Sequence, residues 1–468
     1  MSTFAFSSTP VTRPFVKSQF RCIQTPLPVP ESLPILRDIE HYESRSMHGQ
    51  APIVWDRAKD FQIFDRWGNI WIDFTSTMCV TNAGHANDRI VSALREALDR
   101  DLLQTYNYAT EVRARYLKRL IEATPPECEK AYLISTGTEA TEMVVKLMRL
   151  QGQMSGKRRL GIVSFEGAFH GRTQGAAMIG GTAAGRTWIG HQDPNAWQVP
   201  FPYAWTLERG ETGRVRFQKH LDFLTNQGLD PKTDICGFMF ETYIGWAAAF
   251  IPEDYAQAAA DFARDNGILL GFDEVQGGFG RTGKLFTYQH YGVVPDLVAC
   301  GKGISSSLPL AAVLGRKHLL DLPDVGSMSS THSANPLACA AGLANLEEII
   351  GHNLVAASAK KGEILFKRLH ALQARYPDHI HHVTGSGLLA ALIFRDPKTG
   401  APDSLTVGRI CERALHKGLL LVHTRRESIK FGPPLTIPPE ALEEGLDVIE
   451  EAISEIVAER HQMAGMRP

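Results

Sequence analysis

The 468-residue sequence has few of the features that would place it in a specialised class of protein. Its formal net charge is only −2, which gives no overall attraction to nucleic acid or to an anionic membrane. No apolar run approaches the roughly 18–20 residues that are needed to span a bilayer. Internal repeats and low-complexity tracts are also absent from the sequence. An ordinary globular composition remains, and the length favours two or more domains over a single core.

Cysteine is scarce as well, and the seven cysteines are scattered without any CxxC spacing. This pattern argues against a zinc site or a disulfide framework and predicts a cytoplasmic protein in a reducing compartment. The N-terminus is less plain, because Arg13, Lys17 and Arg21 precede the first acidic residue, Glu31, as they would in a transit peptide. The prolines of "TPLPVPES" would interrupt an amphipathic helix there. We therefore predict that residues 1–44 form a polar arm on the protein surface or on a partner subunit.

Short apolar runs fill the middle of the sequence, and segments of helical character lie between most of them. The runs cover 131–136, 160–165, 235–241, 267–274, 296–303 and 310–315. This alternation predicts an α/β fold, in which helices flank a mostly parallel, mixed sheet on both faces. Ligands of such sheets lie beyond the carboxyl ends of the strands, so functional residues should follow each run.

The flanking regions have other patterns. Residues 61–76 predict a hairpin that turns at Trp67-Gly68-Asn69. After about residue 345 the sequence predicts a long helix over 343–377, an apolar run at 385–394 and a helix near 404–417. This last part predicts a smaller α+β domain at the C-terminus.

A glycine-rich loop lies within "LLGFDEVQGGFGRTGK" (269–284) and matches two nucleotide-binding patterns in part. A dinucleotide fingerprint needs its glycines to open a helix directly after a strand, but Asp273 and Glu274 stand at the strand end, where they would repel phosphate. A P-loop needs Ser or Thr where Leu285 stands. A buried carboxylate at a strand end suits a different task, which is to hold the protonated ring nitrogen of pyridoxal phosphate (PLP).

The other requirements of PLP are a Schiff-base lysine, a phosphate cradle and a stacking group, and the sequence offers all three. Lys302 stands between two glycines at the end of an apolar run, where burial would make its amine a nucleophile. In "STGTEATE" (135–142), Gly137 and Thr138 place backbone amides at the start of a helix, which favours a phosphate. In "GAFHGRT" (167–173), Phe169 and His170 offer a flat face, and Arg172 offers a clamp for a carboxylate.

Together these motifs resemble the class III (omega-amino acid) aminotransferases, which are fold-type I PLP enzymes. The resemblance covers residues 45–455, and its centre is "DEVQGGFGRTGK" followed by "PDLVACGKGISSSLPLAAVLGR". It implies a large PLP-binding domain at 105–345. The small domain would begin with residues 45–104 and be completed by residues 346–468.

The resemblance also implies a role for individual residues. Asp273 would pair with the ring nitrogen and Lys302 would form the imine with the cofactor, while Gln276 would reach the ring hydroxyl. Val275 and Phe169 would pack on opposite faces of the ring. The remaining cofactor residues that it implies are Gly137, Thr138, His170, Glu241 and Thr331. Thr331 in "STHSANP" matches a threonine that reaches the phosphate of the neighbouring subunit, which implies a homodimer with active sites at the interface.

On the substrate side, the sequence departs from the family. Met78 should lie near the substrate, and Arg172 matches the arginine that family members use for a carboxylate remote from the reacting amine. Many relatives that use glutamate have a glutamate gate and a gated arginine, but here Trp246 and Lys430 stand at those positions. Both halves of the usual carboxylate switch are therefore altered. As substrate residues, Lys430 would hold a carboxylate as a point charge without the bidentate fork of an arginine, and Trp246 would narrow or flatten the pocket.

The motifs and the family resemblance together imply a PLP-dependent aminotransferase with ping-pong chemistry. A small-molecule donor, an amine or a 4-aminobutyrate-like ω-amino acid, would pass its amino group to a 2-oxo acid or aldehyde, with no metal, nucleic acid or membrane involved. An amino-acid racemase or epimerase on the same fold is the nearest alternative, because the carboxylate switch is altered. A nucleotide-binding or regulatory protein that uses the glycine loop is the alternative from another class.

Overall fold

The computed structural model of the protein describes residues 4–465. These residues form two compact units. The first unit comprises the residues through Asn87, the segment Trp246–Ala248 and the residues from Ala357 on. The second unit comprises Asp88–Gly245 and Ala249–Ala356. No helix in the described part of the chain is long and apolar enough to cross a membrane.

The elements are numbered in chain order. The strands are β1 Val16–Lys17, β2 Cys22–Ile23, β3 Arg57–Lys59, β4 Gln62–Phe64, β5 Ile70–Asp73, β6 Lys130–Ile134, β7 Gly161–Phe165, β8 Ala196–Val199, β9 Ile235–Glu241, β10 Tyr243–Ile244, β11 Ala249–Phe250, β12 Leu269–Asp273, β13 Leu297–Cys300, β14 Ala311–Gly315, β15 Ile380–Ser386, β16 Leu389–Phe394, β17 Leu419–Leu420, β18 Val422–His423 and β19 Ser428–Phe431. The helices are α1 Leu33–Tyr42, α2 Ser76–Cys79, α3 Asp88–Leu98, α4 Glu111–Ala123, α5 Gly137–Met154, α6 Gln174–Met178, α7 Gly213–Asn226, α8 Pro231–Asp234, α9 Glu253–Asp265, α10 Lys317–Leu320, α11 Pro336–Gly351, α12 Leu354–Arg375, α13 Ser404–His416 and α14 Pro439–Gly465.

The second unit is built on a seven-stranded sheet in the order β6-β14-β13-β12-β9-β7-β8. Strand β14 runs antiparallel to both of its neighbours, and the other pairings are parallel. The six apolar runs become strands of this sheet, so the predicted mixed, mostly parallel α/β architecture is confirmed. Strand β8 was not predicted, because its four residues "AWQV" are too few to stand out as an apolar run.

The core of the second unit explains why its strands are apolar along their whole length. Helix α5 packs on the sheet through fully buried side chains such as Val144 and Met148. The approach is close: a Cβ atom at Gly237 would lie 2.2 Å from the Met148 sulfur. With helices against the sheet, alternate residues of a strand have no solvent face to reach, so the period-2 pattern disappears.

The helical region that follows is divided, and the prediction of one long helix over 343–377 is wrong. Helix α11 ends at Gly351 and α12 begins at Leu354. Between them Asn353 has φ of 49°, a left-handed conformation that asparagine tolerates better than most residues and that ends a helix. In the sequence, only Asn353 marks this break, and asparagine is a weaker signal for the end of a helix than a glycine such as Gly267, which follows α9.

The first unit contains two sheets. One has the order β1-β2-β5-β4-β3 with β17 parallel to β5, and the other is the antiparallel set β15-β16-β19-β18. The hairpin predicted over 61–76 is confirmed as β4 and β5, with Phe64 opposite Ile70. Asp65 stabilises its turn, because one carboxylate oxygen accepts hydrogen bonds from the backbone amides of Trp67 and Asn69, each at 2.9 Å.

The N-terminal arm is more than a surface segment. Strands β1 and β2 pair with each other, and Cys22 of β2 lies opposite Ile70 of β5. Leu27 and Val29 are buried in a cluster with Trp71 and other apolar residues of the first unit. The prediction of a polar arm on the surface therefore has to be corrected, because the apolar residues between the prolines supply part of a core.

Candidate active site

Three adjacent strands of the second unit end at one edge of its sheet. The Cα atom of Asp273, the last residue of β12, pairs with Glu241 of β9 on one side and with Ala299 of β13 on the other. Lys302 follows two residues after the end of β13. The parallel register thus brings two carboxylates and a lysine from three separate segments to the same edge of the sheet.

Asp273 is only 7% exposed, and both of its carboxylate oxygens have partners. Oδ1 accepts a hydrogen bond from the Val275 amide at 3.0 Å, and Oδ2 lies 2.9 Å from His170 Nδ1. Because Asp273 supplies the acceptor, Nδ1 of His170 carries the proton of this bond. The imidazole is itself buried, and its Nε2 has no hydrogen-bond partner among residues 4–465. His170 therefore orients Asp273, whereas the sequence had indicated only its flat face.

Glu241 lies beside this pair and is also buried. Its Oε2 accepts a hydrogen bond from the Phe169 amide at 2.9 Å. Burial raises the pKa of the Glu241 carboxyl to about 7, and the neighbouring Asp273 contributes in the same direction, whereas His170 and Lys302 oppose it. Near neutral pH this carboxyl group is able to hold or release a proton, a property that is common at functional sites.

Val275 is enclosed by two glycines. A Cβ atom at Gly137 would lie 2.7 Å from Val275 Cγ1, and one at Gly301 would lie 3.0 Å from the same atom. Both distances are shorter than an ordinary carbon–carbon contact. The two glycines therefore give Val275 its position directly after Asp273, which no pattern in the sequence had indicated.

The N-terminus of α5 is capped by side chains. Thr136 caps the helix, and Glu139 completes the capping box by accepting a hydrogen bond from the Thr136 amide, so Gly137 and Thr138 begin the first turn. The hydroxyl groups of Thr138 and Thr173 are 2.8 Å apart. Gly171 has φ of 137°, and a Cβ atom there would lie 2.0 Å from the Thr138 hydroxyl oxygen. This helix start has the geometry that binds phosphate groups.

Lys302 has an unusual backbone conformation. Its φ is 46°, whereas Gly301 before it is extended. The chain therefore turns at the lysine itself and not at Gly301. Asn345 of α11 stabilises this turn, because its buried side-chain amide donates to the carbonyl oxygens of Gly303 at 2.8 Å and Ile304 at 3.0 Å.

The other cofactor residues predicted in the second unit lie near the surface or beside strand ends. Phe169 is 52% exposed, and the guanidinium carbon of Arg172 lies 5.3 Å from its ring centroid. The Gln276 amide oxygen accepts a hydrogen bond from the Tyr243 hydroxyl at 3.2 Å. Thr331 is exposed in the loop before α11, and its carbonyl oxygen accepts a bond from the Gln104 side chain at 3.1 Å.

Three predicted substrate residues belong to the first unit. Met78 is 44% exposed and lies in α2, where residues Ser76–Cys79 all have φ between 45° and 65° and so form a left-handed turn. The indole of Trp246 lies under the guanidinium group of Arg426, with Cζ 3.7 Å from the ring centroid. Lys430 is buried within β19.

The residues of the second unit fit the chemical groups of PLP. The oriented carboxylate of Asp273 suits a protonated ring nitrogen, Lys302 supplies the amine, and the start of α5 suits a phosphate. Glycine at positions 137, 171 and 301 lets the backbone approach the side chains of Val275 and Thr138 more closely than a Cβ atom would allow. The glycine-rich loop after β12 continues as turns into a short 3-10 helix at Thr287–Tyr291, so its glycines do not open an α-helix.

Comparison with known proteins gives consistent results. A family model described as "Aminotransferase class-III" matches residues 44–453. A 2-aminoadipate transaminase of Pseudomonas putida is 32% identical over 88% of this chain and 98% of that protein. An alanine/serine racemase of Pyrococcus horikoshii is 31% identical over 86% of each, and a 4-aminobutyrate aminotransferase of Mycobacterium leprae is 30% identical over 93% of this chain and 99% of that protein. The solved structure of an (S)-enantioselective omega-transaminase from Thermomicrobium roseum covers 90% of this chain and 98% of its own, with a TM-score of 0.82 and 26% identity.

Proposed function

Because this chain belongs to the class III aminotransferases, we propose that it passes the amino group of a 4-aminobutyrate-like ω-amino acid or an amine to a 2-oxo acid or aldehyde. The observation that carries the proposal is the position of Arg172. Its exposed guanidinium group lies against Phe169, two residues from the His170 that orients Asp273. A guanidinium group binds a carboxylate through two parallel hydrogen bonds, so it suits a donor whose carboxylate is remote from its amine.

The chemistry follows from the residues at the sheet edge. PLP, the cofactor of this family, supplies a ring that takes up the electron pair released at the substrate carbon. Asp273 would keep the ring nitrogen protonated, and His170 holds the carboxylate in place for that task. The amine of Lys302 would move a proton to and from the reacting carbon. The start of α5 would hold the phosphate through the amides of its first turn.

We also propose a homodimer in the cytosol. Support for the dimer is the Thr331 motif, which resembles a segment that reaches the phosphate of a neighbouring subunit. Thr331 is exposed in the single chain, as such a contact requires. The cytosol remains a prediction from the scattered cysteines.

Racemisation or epimerisation is the second candidate. A racemase is among the relatives at an identity similar to that of the transaminases. In addition, Trp246, which stands at the position of the gate glutamate, stacks with Arg426 and offers no carboxylate for an ion pair. A chain without that gate has less means of accepting two differently charged substrates in turn.

One experiment separates the two functions. Candidate amines are added to the purified holoenzyme without an acceptor, and the absorption spectrum and α-deuterium exchange are followed. Transamination converts the cofactor to its pyridoxamine form, whereas an isomerase keeps its spectrum while the α-hydrogen exchanges with solvent. Lys302→Ala is the control, because it should abolish both reactions.

The role of Arg172 is tested with matched donors. We expect Arg172→Met to lower kcat/KM for 4-aminobutyrate by about 10- to 150-fold, since hydrogen bonds to charged groups contribute about 1.5–3 kcal/mol. A linear amine of the same length but without a carboxylate should react equally well with both enzymes. Arg209→Met, at another exposed arginine, is the control. An equal loss for both donors would contradict the assignment.

A further inference from the structure

We propose that Tyr243 is a positioning residue, which sets the direction in which the Gln276 amide faces the cofactor. The Tyr243 hydroxyl donates a hydrogen bond to Gln276 Oε1 at 3.2 Å, and the tyrosine is only 3% exposed. Neither the sequence motifs nor the comparisons give this tyrosine a role. The inference rests on the proposed function, and on the contact between Gln276 and the ring hydroxyl of PLP that the family resemblance implies.

The two ends of the Gln276 side-chain amide differ in what they can bind. A glutamine side chain has one oxygen that accepts hydrogen bonds and one NH₂ group that donates them, and the two diverge from the same carbon. When Tyr243 donates to the oxygen, the NH₂ group points away from that hydrogen bond. Gln276 then offers the ring oxygen an N–H donor and not a second lone pair. A donor at that oxygen favours its anionic form, because the negative charge is stabilised by the N–H dipole.

The tyrosine is well placed to hold this direction. Its ring is stacked on Phe250 at 5.8 Å between centroids, in the two-stranded ladder of β10 and β11 where the two residues are opposite each other. On another side, a Cβ atom at Gly277 would lie 3.0 Å from the tyrosine ring. A ring with so little room keeps its hydroxyl at one point, so the amide has a fixed partner.

Glu241 borders the same space as the Gln276 amide oxygen. A Cβ atom at Gly245 would lie 3.2 Å from Glu241 Oε1 and 3.6 Å from Gln276 Oε1, so both oxygens border the same space. Burial raises the pKa of Glu241 to about 7, so its carboxyl group is partly protonated near neutral pH. The other titratable groups around Glu241 are His170, Asp273 and Lys302, and a tyrosine-to-phenylalanine change leaves all of them in place.

The first test uses the holoenzyme without substrate. The visible absorption of the bound cofactor is titrated with pH in the wild type and in Tyr243→Phe, and the cofactor dissociation constant is measured on the apoprotein. A donor at the ring oxygen lowers the pH at which the imine loses its proton, because it stabilises the oxygen anion left behind. We expect the midpoint to rise by roughly 0.4 to 1 pH unit in Tyr243→Phe, which matches the loss of one neutral hydrogen bond.

Matched variants separate positioning from packing. Tyr255→Phe removes another buried hydroxyl, which is hydrogen-bonded to His220 at 2.9 Å, and should leave the midpoint unchanged. Gln276→Glu replaces the donor by an oxygen and should raise the midpoint further. In that background Tyr243→Phe should add no further rise, because the tyrosine acts through the amide.

The outcomes are distinct. A midpoint in Tyr243→Phe equal to that of the wild type would overturn the inference, and so would an equal rise with and without Gln276→Glu. Should Tyr243→Phe not fold, Gln276→Glu alone decides, since no change in its midpoint would show that the amide does not donate to the ring. A wild-type protein that binds no PLP would overturn both this inference and the proposed function. If the candidate amines do not react, only the proposed function is contradicted, because the pH titration is carried out without substrate.

Discussion

Gly137 offers the most direct test of how the site is built. Its backbone φ is negative, so alanine is allowed there by conformation, and at the first turn of α5 alanine would even favour the helix slightly. The obstacle is steric: the new methyl carbon would lie 2.7 Å from Val275 Cγ1, about 1 Å closer than the optimal carbon–carbon separation. Val275 has little room to move aside, because Gly301 borders the same methyl group.

Overpacking of this kind typically costs about 1–3 kcal/mol. If Val275 faces the cofactor ring, as the family resemblance implies, much of this strain appears in the holoenzyme. We then expect Gly137→Ala to weaken PLP binding by about 5- to 150-fold. The measurement is a fluorescence titration of the apoprotein with PLP, together with thermal unfolding of the apoprotein.

Two further variants make the test specific. Val275→Ala removes the clashing methyl groups, so the double variant should recover most of the affinity that Gly137→Ala loses. Gly351→Ala, at the end of α11 where a Cβ atom meets nothing within 4 Å, should bind PLP like the wild type. The reasoning is refuted if Gly137→Ala binds PLP normally, or if Val275→Ala does not restore binding.

The three other predictions each concern the substitution of one residue. Burial raises the pKa of the Glu274 carboxyl to about 8 from an ordinary value of 4.5. The contribution of this group to the free energy of unfolding is therefore fully present below pH 4.5 and is lost as the pH rises through 8. Glu274→Gln should therefore flatten the fall of Tm between about pH 5 and 8, and a slope as steep as that of the exposed control Glu363→Gln would contradict this. Asn345→Ala removes both donors to the turn after Lys302 and should lower the free energy of unfolding in urea by about 1–3 kcal/mol; an unchanged midpoint would show that the turn is stable without them. Met78→Val should lower Tm, because a β-branched residue is strained at φ of 63°, whereas Met78→Gly should not; equal Tm values would argue against the left-handed turn.

The fold was largely predictable because its signals are local. Apolar runs such as 235–241 became strands with the same limits, since burial on both faces requires apolar residues throughout. The N-terminal arm was misjudged because prolines and basic residues dominate its composition, while Leu27 and Val29 contribute to a core built mostly by distant residues. The break at Asn353 was missed because one left-handed residue hardly changes the helical periodicity.

In the candidate site, too, some features were predictable from the sequence and others were not. The sequence alone determined which chemical groups stand at strand ends, because Asp273, Glu241 and Lys302 each terminate an apolar run and parallel strands end at a common edge. Only the tertiary structure decided which partners act on them: His170 on Asp273, Asn345 on the turn at Lys302, and Tyr243 on Gln276. These contacts join segments that lie 33 to 103 residues apart. Periodicity describes how a segment packs, whereas the partner of a single polar atom depends on the packing of all the others.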